Sequence, residues 1–242
     1  KRGLVIGIAN DHSIAWGIAR TLAAHGAGLA LTYQNETLAK RVRPLAEEAG
    51  AALVLPCDVE DVPSVEAVFG ELEKAWGALD FVVHAVAYSD KAELSGGYVD
   101  TSAANFARTL NISCYSFTRI ARLARPLMAA AGGGSLLTLT YYGARRVMPN
   151  YNVMGVAKAA LEASVKYLAA DLGPDGIRVN AISAGPMRTL AGSAIGSARK
   201  IYNWSEKSAP LRRPVALQQV GDAALYLMSD LALAVTGEIH YV

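Results

Sequence analysis

The chain has 242 residues, of which 52% are hydrophobic and 18% charged, so it can bury a large core and general disorder is excluded. Its net charge of +2 is too small for a nucleic-acid-binding surface, and no apolar run approaches the roughly 18 residues of a membrane span. Two cysteines, Cys57 and Cys114, exclude a disulfide framework and a four-cysteine zinc site, and they are typical of a reducing, cytoplasmic location. Because the chain begins with Lys1, we expect the natural N-terminus to lie upstream.

Segments that favour strands alternate with segments of helical periodicity. The predicted strands are Leu4–Ile8, Leu29–Tyr33, Ala52–Cys57, Phe81–Ala85, Ser135–Thr140, Arg178–Ser183 and Glu238–Val242. The predicted helices are one containing Ile14, Ile18 and Leu22, followed by Leu38–Ala49, Val62–Trp76, Ser102–Ala129, Val153–Leu172 and Leu217–Ser229. Most of these strands are continuously apolar, as strands covered on both faces are. The pattern predicts one α/β domain over residues 1–242, a Rossmann-type doubly wound parallel sheet of about seven strands with helices on both faces.

The first strand leads into a turn of small residues that runs from Gly7 to Gly17 and opens the first helix. Free backbone N–H groups and the helix dipole make such a junction suited to a phosphate, and the Ser13 hydroxyl offers a further donor. The spacing departs from G-x-G-x-x-G, so the turn alone is weak evidence, and a merely structural strand-to-helix turn is the alternative.

The second strand ends at Gln34, where dinucleotide-binding folds usually carry an acidic residue that binds the ribose 2′-hydroxyl. The next cations along the chain are Lys40 and Arg41, so a 2′-phosphate has no obvious partner and NADH is favoured over NADPH. Asp58, after the third strand, suits an adenine edge but is equally explained as a turn residue.

Tyr151 and Lys158 lie seven residues apart on a predicted helix. Seven steps of about 100° return to nearly the same direction, so the two side chains share one face, two turns apart. A lysine beside a tyrosine hydroxyl can polarise it as an acid. Tyr141, after the fifth strand, is expected at the same edge of the sheet, with Tyr142 facing the other way.

Residues 187–210 follow the sixth strand and are rich in small and polar side chains with a weak helical pattern. A connection of this length beside the ligand-binding edge is often a lid, and an ordered surface loop is the alternative.

Four stretches of the chain resemble the type I enoyl-acyl-carrier-protein reductases, a divergent branch of the short-chain dehydrogenase/reductase superfamily. They are the turn from Gly7 to Gly17, Thr32-Tyr33-Gln34-Asn35, the segment from Tyr141 to Ala159, and the segment from Arg178 to Thr189. The lysine follows the tyrosine as Tyr-x6-Lys, whereas most of the superfamily has Tyr-x-x-x-Lys. Two departures are Ala87, where many relatives have glycine, and the end at Val242, beyond which a tail is expected.

The resemblance implies that NADH reduces a trans-2-enoyl chain on acyl carrier protein during fatty-acid elongation, in a homotetramer. It implies catalytic roles for Tyr151, Lys158 and Tyr141. The implied cofactor contacts are Gly7, Ser13, Ile14, Gln34, Asp58, Val59, Ala87, Lys158, Met187 and Thr189. The implied substrate contacts are Tyr88, Tyr141, Met154, Leu190, Ala191, Ile195 and Tyr202. A basic face for the acidic carrier protein is expected from Arg43, Arg145, Arg146, Arg199 and Lys200.

Two other functions remain open on the sequence alone. A short-chain carbonyl reductase that acts on 3-oxoacyl thioesters would use Thr138 in place of a serine and Asn111 as its helix asparagine. A catalytically silent nucleotide-binding or scaffold protein would need no intact Tyr151 and Lys158.

Overall fold

The computed structural model describes residues 1–187, 189 and 198–242, with the backbone alone at 198 and 199. Within these residues seven strands form one sheet, with all neighbouring strands parallel, in the order β3-β2-β1-β4-β5-β6-β7. The strands are β1 (Arg2–Ile6), β2 (Gly28–Tyr33), β3 (Leu53–Pro56), β4 (Phe81–His84), β5 (Gly134–Thr140), β6 (Ile177–Ser183) and β7 (Ile239–Tyr241). The predicted doubly wound parallel sheet is confirmed.

The longer helices cover both faces of this sheet. They are α1 (Ile14–Ala24), α2 (Glu36–Glu48), α3 (Val62–Trp76), α4 (Ala103–Leu110), α5 (Ser116–Ala130), α6 (Asn152–Leu172), α7 (Ala198–Ser208) and α8 (Leu217–Met228). Short 3-10 turns lie at Lys91–Leu94, Tyr98–Asp100, Tyr142–Ala144, Gly173–Asp175 and Asp230–Ala232. No helix of the described residues is long and apolar enough to span a membrane.

Two regions of the chain differ from the predicted secondary structure by more than the positions of their ends. The helix predicted at Ser102–Ala129 is divided into α4 and α5 by a π-helical turn at Asn111–Tyr115. The sequence did not predict this turn, because one extra residue in a single turn hardly changes the periodicity of the apolar residues. The segment predicted to have a weak helical pattern contains the helix α7.

The core has two layers, one on each side of the sheet. In β1, Leu4 and Ile6 pack with the layer that contains α3, α5 and α6, while Val5 packs with α1, α2 and α8. A strand that buries both of its faces has no polar positions to alternate with apolar ones, which explains the continuous apolar runs of the sequence.

The first strand ends at Ile6, two residues earlier than predicted, and Gly7 follows it. This glycine has φ +106°, and a Cβ there would lie 2.2 Å from the carbonyl oxygen of Ala85. Only a residue without a side chain fits so close to the chain leaving β4, so the turn that follows β1 begins at this point. The close approach brings the ends of β1 and β4 together at the point where the strand order reverses.

Candidate active site

A cavity of about 800 Å³ opens at the carboxyl edge of the sheet, within the size range of small-molecule and cofactor sites. Every predicted site residue that the structure describes lines it: Gly7, Ser13, Ile14, Gln34, Asp58, Val59, Ala87, Tyr88, Tyr141, Tyr151, Met154, Lys158, Met187, Thr189 and Tyr202. Leu190, Ala191 and Ile195 lie outside the described residues. The fold therefore gathers residues from across the chain into one site.

The turn after β1 presents the N-terminus of α1 to the cavity. The Ser13 Oγ accepts hydrogen bonds from the backbone N–H groups of Ala9 and Asn10, both 3.0 Å long, and its hydroxyl donates to Asn10 Oδ1 over 3.3 Å. Ser13 therefore uses its bonding capacity to hold the turn. The backbone N–H groups of Ile14 and Ala15 have no acceptor among the described residues, so they are the donors available to an anion.

The ends of β2 and β3 are joined by a hydrogen bond from Gln34 Nε2 to Asp58 Oδ2, 3.3 Å long. The other carboxylate oxygen of Asp58 accepts from the backbone N–H of Glu60 over 3.0 Å, so Asp58 is also a turn residue. Among the described residues that line the cavity, the cations are Lys91, Arg108 and Lys158. Gln34 thus faces a carboxylate, an environment that disfavours a further negative charge.

Tyr151 is buried at the start of α6, between two asparagines with left-handed backbone. Asn150 has φ +57° and Asn152 φ +30°, and the Asn152 amide donates to the Glu93 carbonyl over 3.2 Å. Asparagine tolerates such backbone better than most residues, and strained conformations of this kind cluster at functional sites. The Asn-Tyr-Asn sequence is therefore a local signal of this site that the sequence reading did not use.

The ring of Tyr141 meets the ring of Tyr151 edge-on, with centroids 5.3 Å apart. Burial raises the pKa of Tyr151, and neighbouring Tyr141 raises it further, so the phenol is neutral at physiological pH. Burial also raises the pKa of Tyr141. As predicted, Tyr142 points away from the cavity, and its ring lies against that of Tyr241.

Lys158 is buried beneath the cavity, on the helix that Tyr151 opens. Its Nζ donates to the carbonyl oxygen of Leu139 over 2.8 Å, which fixes the ammonium at the end of β5. Burial lowers the pKa of Lys158 to about 8, so the amine is mostly charged at pH 7 and loses its charge in mildly alkaline solution.

Beneath the site, His84 ties β4 to β5 and α5. Its Nδ1 lies 2.9 Å from Thr138 Oγ1 and its Nε2 lies 2.8 Å from Ser116 Oγ, whose hydroxyl donates to the Ile112 carbonyl over 2.6 Å. We assign the tautomer in which Nε2–H donates to Ser116 and Nδ1 accepts from Thr138. Burial and the nearby Lys158 charge lower the pKa of His84 to about 3, so the imidazole is neutral. A lone histidine in a strand gave no sequence signal for this network.

The two residues that a carbonyl reductase would need are placed elsewhere. Thr138 is fully buried and bonded to His84, and Asn111 Oδ1 accepts from Arg119 over 3.4 Å. Neither lines the cavity. No group of three or more metal-ligating side chains occurs in the described part of the chain.

Two ion pairs beside the site were also missed by the sequence analysis. At the cavity wall, Arg108 makes two 2.8 Å hydrogen bonds to Glu60 and lies over the Tyr88 ring. Behind Tyr141, Arg145 bonds to the buried carboxylate of Glu162 over 2.6 Å. The two pairs join residues that are 48 and 17 positions apart in the sequence, and the periodicity of apolar residues does not predict contacts over such separations.

A parallel sheet with this strand order, an anion-binding helix terminus and a tyrosine and lysine on one helix define a dinucleotide-binding oxidoreductase fold and site. The sequence profile described as "Enoyl-(Acyl carrier protein) reductase" matches residues 7–242. The chain belongs to the enoyl-(acyl carrier protein) reductase family, and the resemblance inferred from its motifs is confirmed.

Individual relatives cover the whole chain. It is 64% identical to "Enoyl-[acyl-carrier-protein] reductase [NADH] 2" of Rhizobium meliloti, over all of this chain and 90% of that protein. The enoyl-(acyl-carrier-protein) reductase of Anaplasma phagocytophilum, solved in complex with NAD, is 60% identical, with a TM-score of 0.96 over all of this chain and 91% of that one. The Bacillus cereus enzyme, solved with NADP+ and an indole naphthyridinone, is 50% identical, with a TM-score of 0.97 over all of this chain and 94% of that one.

Proposed function

We propose that this protein uses NADH to reduce the C2=C3 double bond of trans-2-enoyl thioesters carried by acyl carrier protein, the last reductive step of fatty-acid elongation. The observation that carries the proposal is the pairing of Tyr151 and Lys158, spaced as Tyr-x6-Lys, in one cavity with the free N-terminus of α1. A 3-oxoacyl reductase is disfavoured because Thr138 and Asn111 do not reach that cavity.

The cavity suits a dinucleotide along its length. The N–H groups of Ile14 and Ala15 hold the pyrophosphate, while Gln34 and Asp58 hold the adenosine end. The Lys158 ammonium donates one hydrogen bond to the Leu139 carbonyl oxygen, and its two other N–H groups are available to donate to the nicotinamide ribose. The remaining proposed contacts are Gly7, Ser13, Val59, Ala87, Met187 and Thr189. NADH is favoured over NADPH because a 2′-phosphate near Gln34 would meet the Asp58 carboxylate.

When bound, the nicotinamide would supply the hydride that the β-carbon of the substrate accepts. Negative charge then develops on the thioester oxygen, and the neutral Tyr151 hydroxyl donates a hydrogen bond to it. This bond strengthens as the charge grows, so it stabilises the transition state more than the bound substrate. The reduction is completed when C2 takes up a proton and the charge on the thioester oxygen is discharged; Tyr141 lines the acyl site beside Tyr151 and assists delivery of that proton. The other acyl contacts are Tyr88, Met154 and Tyr202, with Leu190, Ala191 and Ile195 in the undescribed segment.

Residues 187–210, of which 188 and 190–197 lie outside the described residues, are proposed to act as a lid over cofactor and acyl chain. Support comes from α7, where the Tyr202 hydroxyl donates to the Met187 carbonyl over 2.6 Å. This bond links α7 to the chain leaving β6, and Met187 and Tyr202 both line the cavity. A closed lid would exclude water from the reacting atoms.

The acidic carrier protein docks on basic side chains near the lid. Arg146 and Lys200 are exposed and suit this role, and the Arg199 side chain is not described. Arg145 is bonded to Glu162, and Arg43 lies against Tyr33 and Glu36, so both are already partnered. The cytoplasm is the proposed location, supported by two buried free cysteines.

The function is tested by following NADH oxidation with a trans-2-enoyl thioester and, separately, with a 3-oxoacyl thioester. Turnover is expected only with the enoyl substrate. Tyr151→Phe, which removes one donor to the thioester oxygen, is expected to lower kcat by about 100-fold to 1,000-fold. Turnover with only the 3-oxoacyl substrate would reject the assigned reaction, and unchanged kcat in the variant would reject the role of Tyr151.

A further inference from the structure

A carboxylate that the proposed chemistry does not use is buried one helical turn beyond Lys158. The Glu162 side chain is only 5% exposed, although a carboxylate is costly to remove from water. Both of its oxygens are engaged. Oε1 accepts from the Thr140 hydroxyl over 3.0 Å, and Oε2 accepts from Arg145 Nε over 2.6 Å. Burial of this carboxylate has a desolvation cost that an exposed ion pair would largely avoid. This cost indicates that Glu162 serves to fix the positions of its partners.

The two partners of Glu162 stand on either side of Tyr141. Thr140 is the last residue of β5, and Arg145 ends the 3-10 turn at Tyr142–Ala144. Glu162 therefore ties both ends of the segment that carries Tyr141 to the same helix that carries Lys158. With the bond from Lys158 to Leu139, α6 holds the end of β5 at three points, and Tyr141 lies between two of them.

The same segment packs directly on Tyr151. A Cβ at Gly143 would lie 2.5 Å from Cδ1 and 2.6 Å from Cε1 of the Tyr151 ring, so the backbone of the turn packs closely against that ring. Tyr141 meets the ring edge-on, with centroids 5.3 Å apart. Any shift of the turn would therefore change the distance and angle between the two tyrosines.

We propose that Glu162 is a positioning residue for the reduction: with Thr140 and Arg145 it clamps the Tyr141 segment so that Tyr141 stays against Tyr151. The clamp rests on the proposed role of Tyr141. It acts through geometry, since Glu162 does not line the cavity within the described residues.

The test is a double-mutant cycle with Glu162→Gln and Tyr141→Phe. Glutamine keeps an oxygen for Thr140 but removes the charge that holds Arg145, so the turn is released on one side. We expect Glu162→Gln to lower kcat with a trans-2-enoyl thioester by up to about 100-fold, while KM and the Kd of NADH stay close to wild type. In the Tyr141→Phe background, Glu162→Gln should lower kcat no further, because both changes remove the same contribution.

Arg145→Gln is the second variant, because its half-exposed side chain can be replaced even if the protein does not tolerate a change at Glu162. It should reproduce the loss of kcat and the non-additivity with Tyr141→Phe. Arg125→Gln is the matched control: it breaks a similar single-bond pair with Asp175, 2.5 Å long and remote from the cavity, and should leave kcat unchanged.

Three results would overturn the clamp: unchanged kcat in both Glu162→Gln and Arg145→Gln, losses that multiply with that of Tyr141→Phe, or a Tyr141→Phe variant with wild-type kcat. Circular dichroism melting of each variant separates these results from unfolding. Failure of the proposed function has a different signature, since wild-type protein would then not oxidise NADH with the enoyl thioester.

Discussion

The buried ammonium of Lys158 needs hydrogen-bond acceptors for its three N–H groups. Among the residues that the structure describes, its ammonium has one acceptor, the Leu139 carbonyl, and burial lowers its pKa to about 8. An amine with protons left to donate beside a cavity is suited to a hydroxyl-bearing ligand. Removing the charge should therefore weaken the bond to that ligand before it disturbs the fold.

This predicts a pH dependence of cofactor use. Because the lysine is protonated below its pKa, kcat/KM for NADH should be high near pH 7 and fall as pH rises through about 8. Steady-state rates at saturating enoyl thioester, measured across this range, check the expectation. Lys158→Met should have a lower kcat/KM without that step. A wild-type profile that stays flat to pH 9 would remove Lys158 from the role.

At the scale of the elements, the most specific prediction concerns the effect of bound cofactor on α7 and the chain before it. Met187 and Tyr202 line the same cavity as the proposed nicotinamide contacts and are bonded to each other. A dinucleotide bound in this cavity would contact Met187 and Tyr202, and such contacts protect a segment against local unfolding.

We therefore expect NADH to slow proteolytic cleavage within residues 187–210. Limited proteolysis followed by mass spectrometry, with and without NADH, measures the effect at each peptide bond. Cleavage at the glycine turn of residues 132–134, remote from the cavity, serves as the internal control. Equal cleavage of the segment in both conditions would contradict a lid that closes over the cofactor.

At the scale of the whole molecule, two separate patches of exposed apolar side chains stand out. Tyr167 on α6 is 77% exposed and Tyr115 in the π-helical turn is 50% exposed, while Leu231 and Leu233, beyond α8, are 82% and 70% exposed. Patches of this kind often mark protein interfaces. A tetramer with three two-fold axes needs two distinct self-complementary faces, and we propose that these two groups of side chains belong to such faces.

The homotetramer inferred from the family resemblance is therefore expected in solution. Light scattering coupled to size exclusion should give the mass of four chains. Tyr167→Glu places a charge in one patch and should shift the mass toward two chains, whereas the control Lys166→Glu changes charge at the neighbouring position. A wild-type mass of one chain would rule the tetramer out.

Much of the architecture and of the site was predictable because the relevant signals are local. Continuously apolar strands indicate a sheet covered on both faces, and parallel strands bring their carboxyl ends to one edge of the sheet. The turn from Gly7, the Gln34 position and the Tyr151–Lys158 spacing each lie within a short stretch, so their chemistry could be read before the fold was known.

What required the tertiary structure depends on contacts between residues distant in sequence. Arg145 was assigned to a docking face, but the fold pairs it with Glu162, and His84 gained its partners only when β4, β5 and α5 came together. Burial then decided the chemistry, because removal from water holds Tyr151 neutral and lowers the pKa of Lys158. Periodicity predicts which faces are buried, but the neighbours of each buried polar group, and so its charge and role, are set by packing across the sheet.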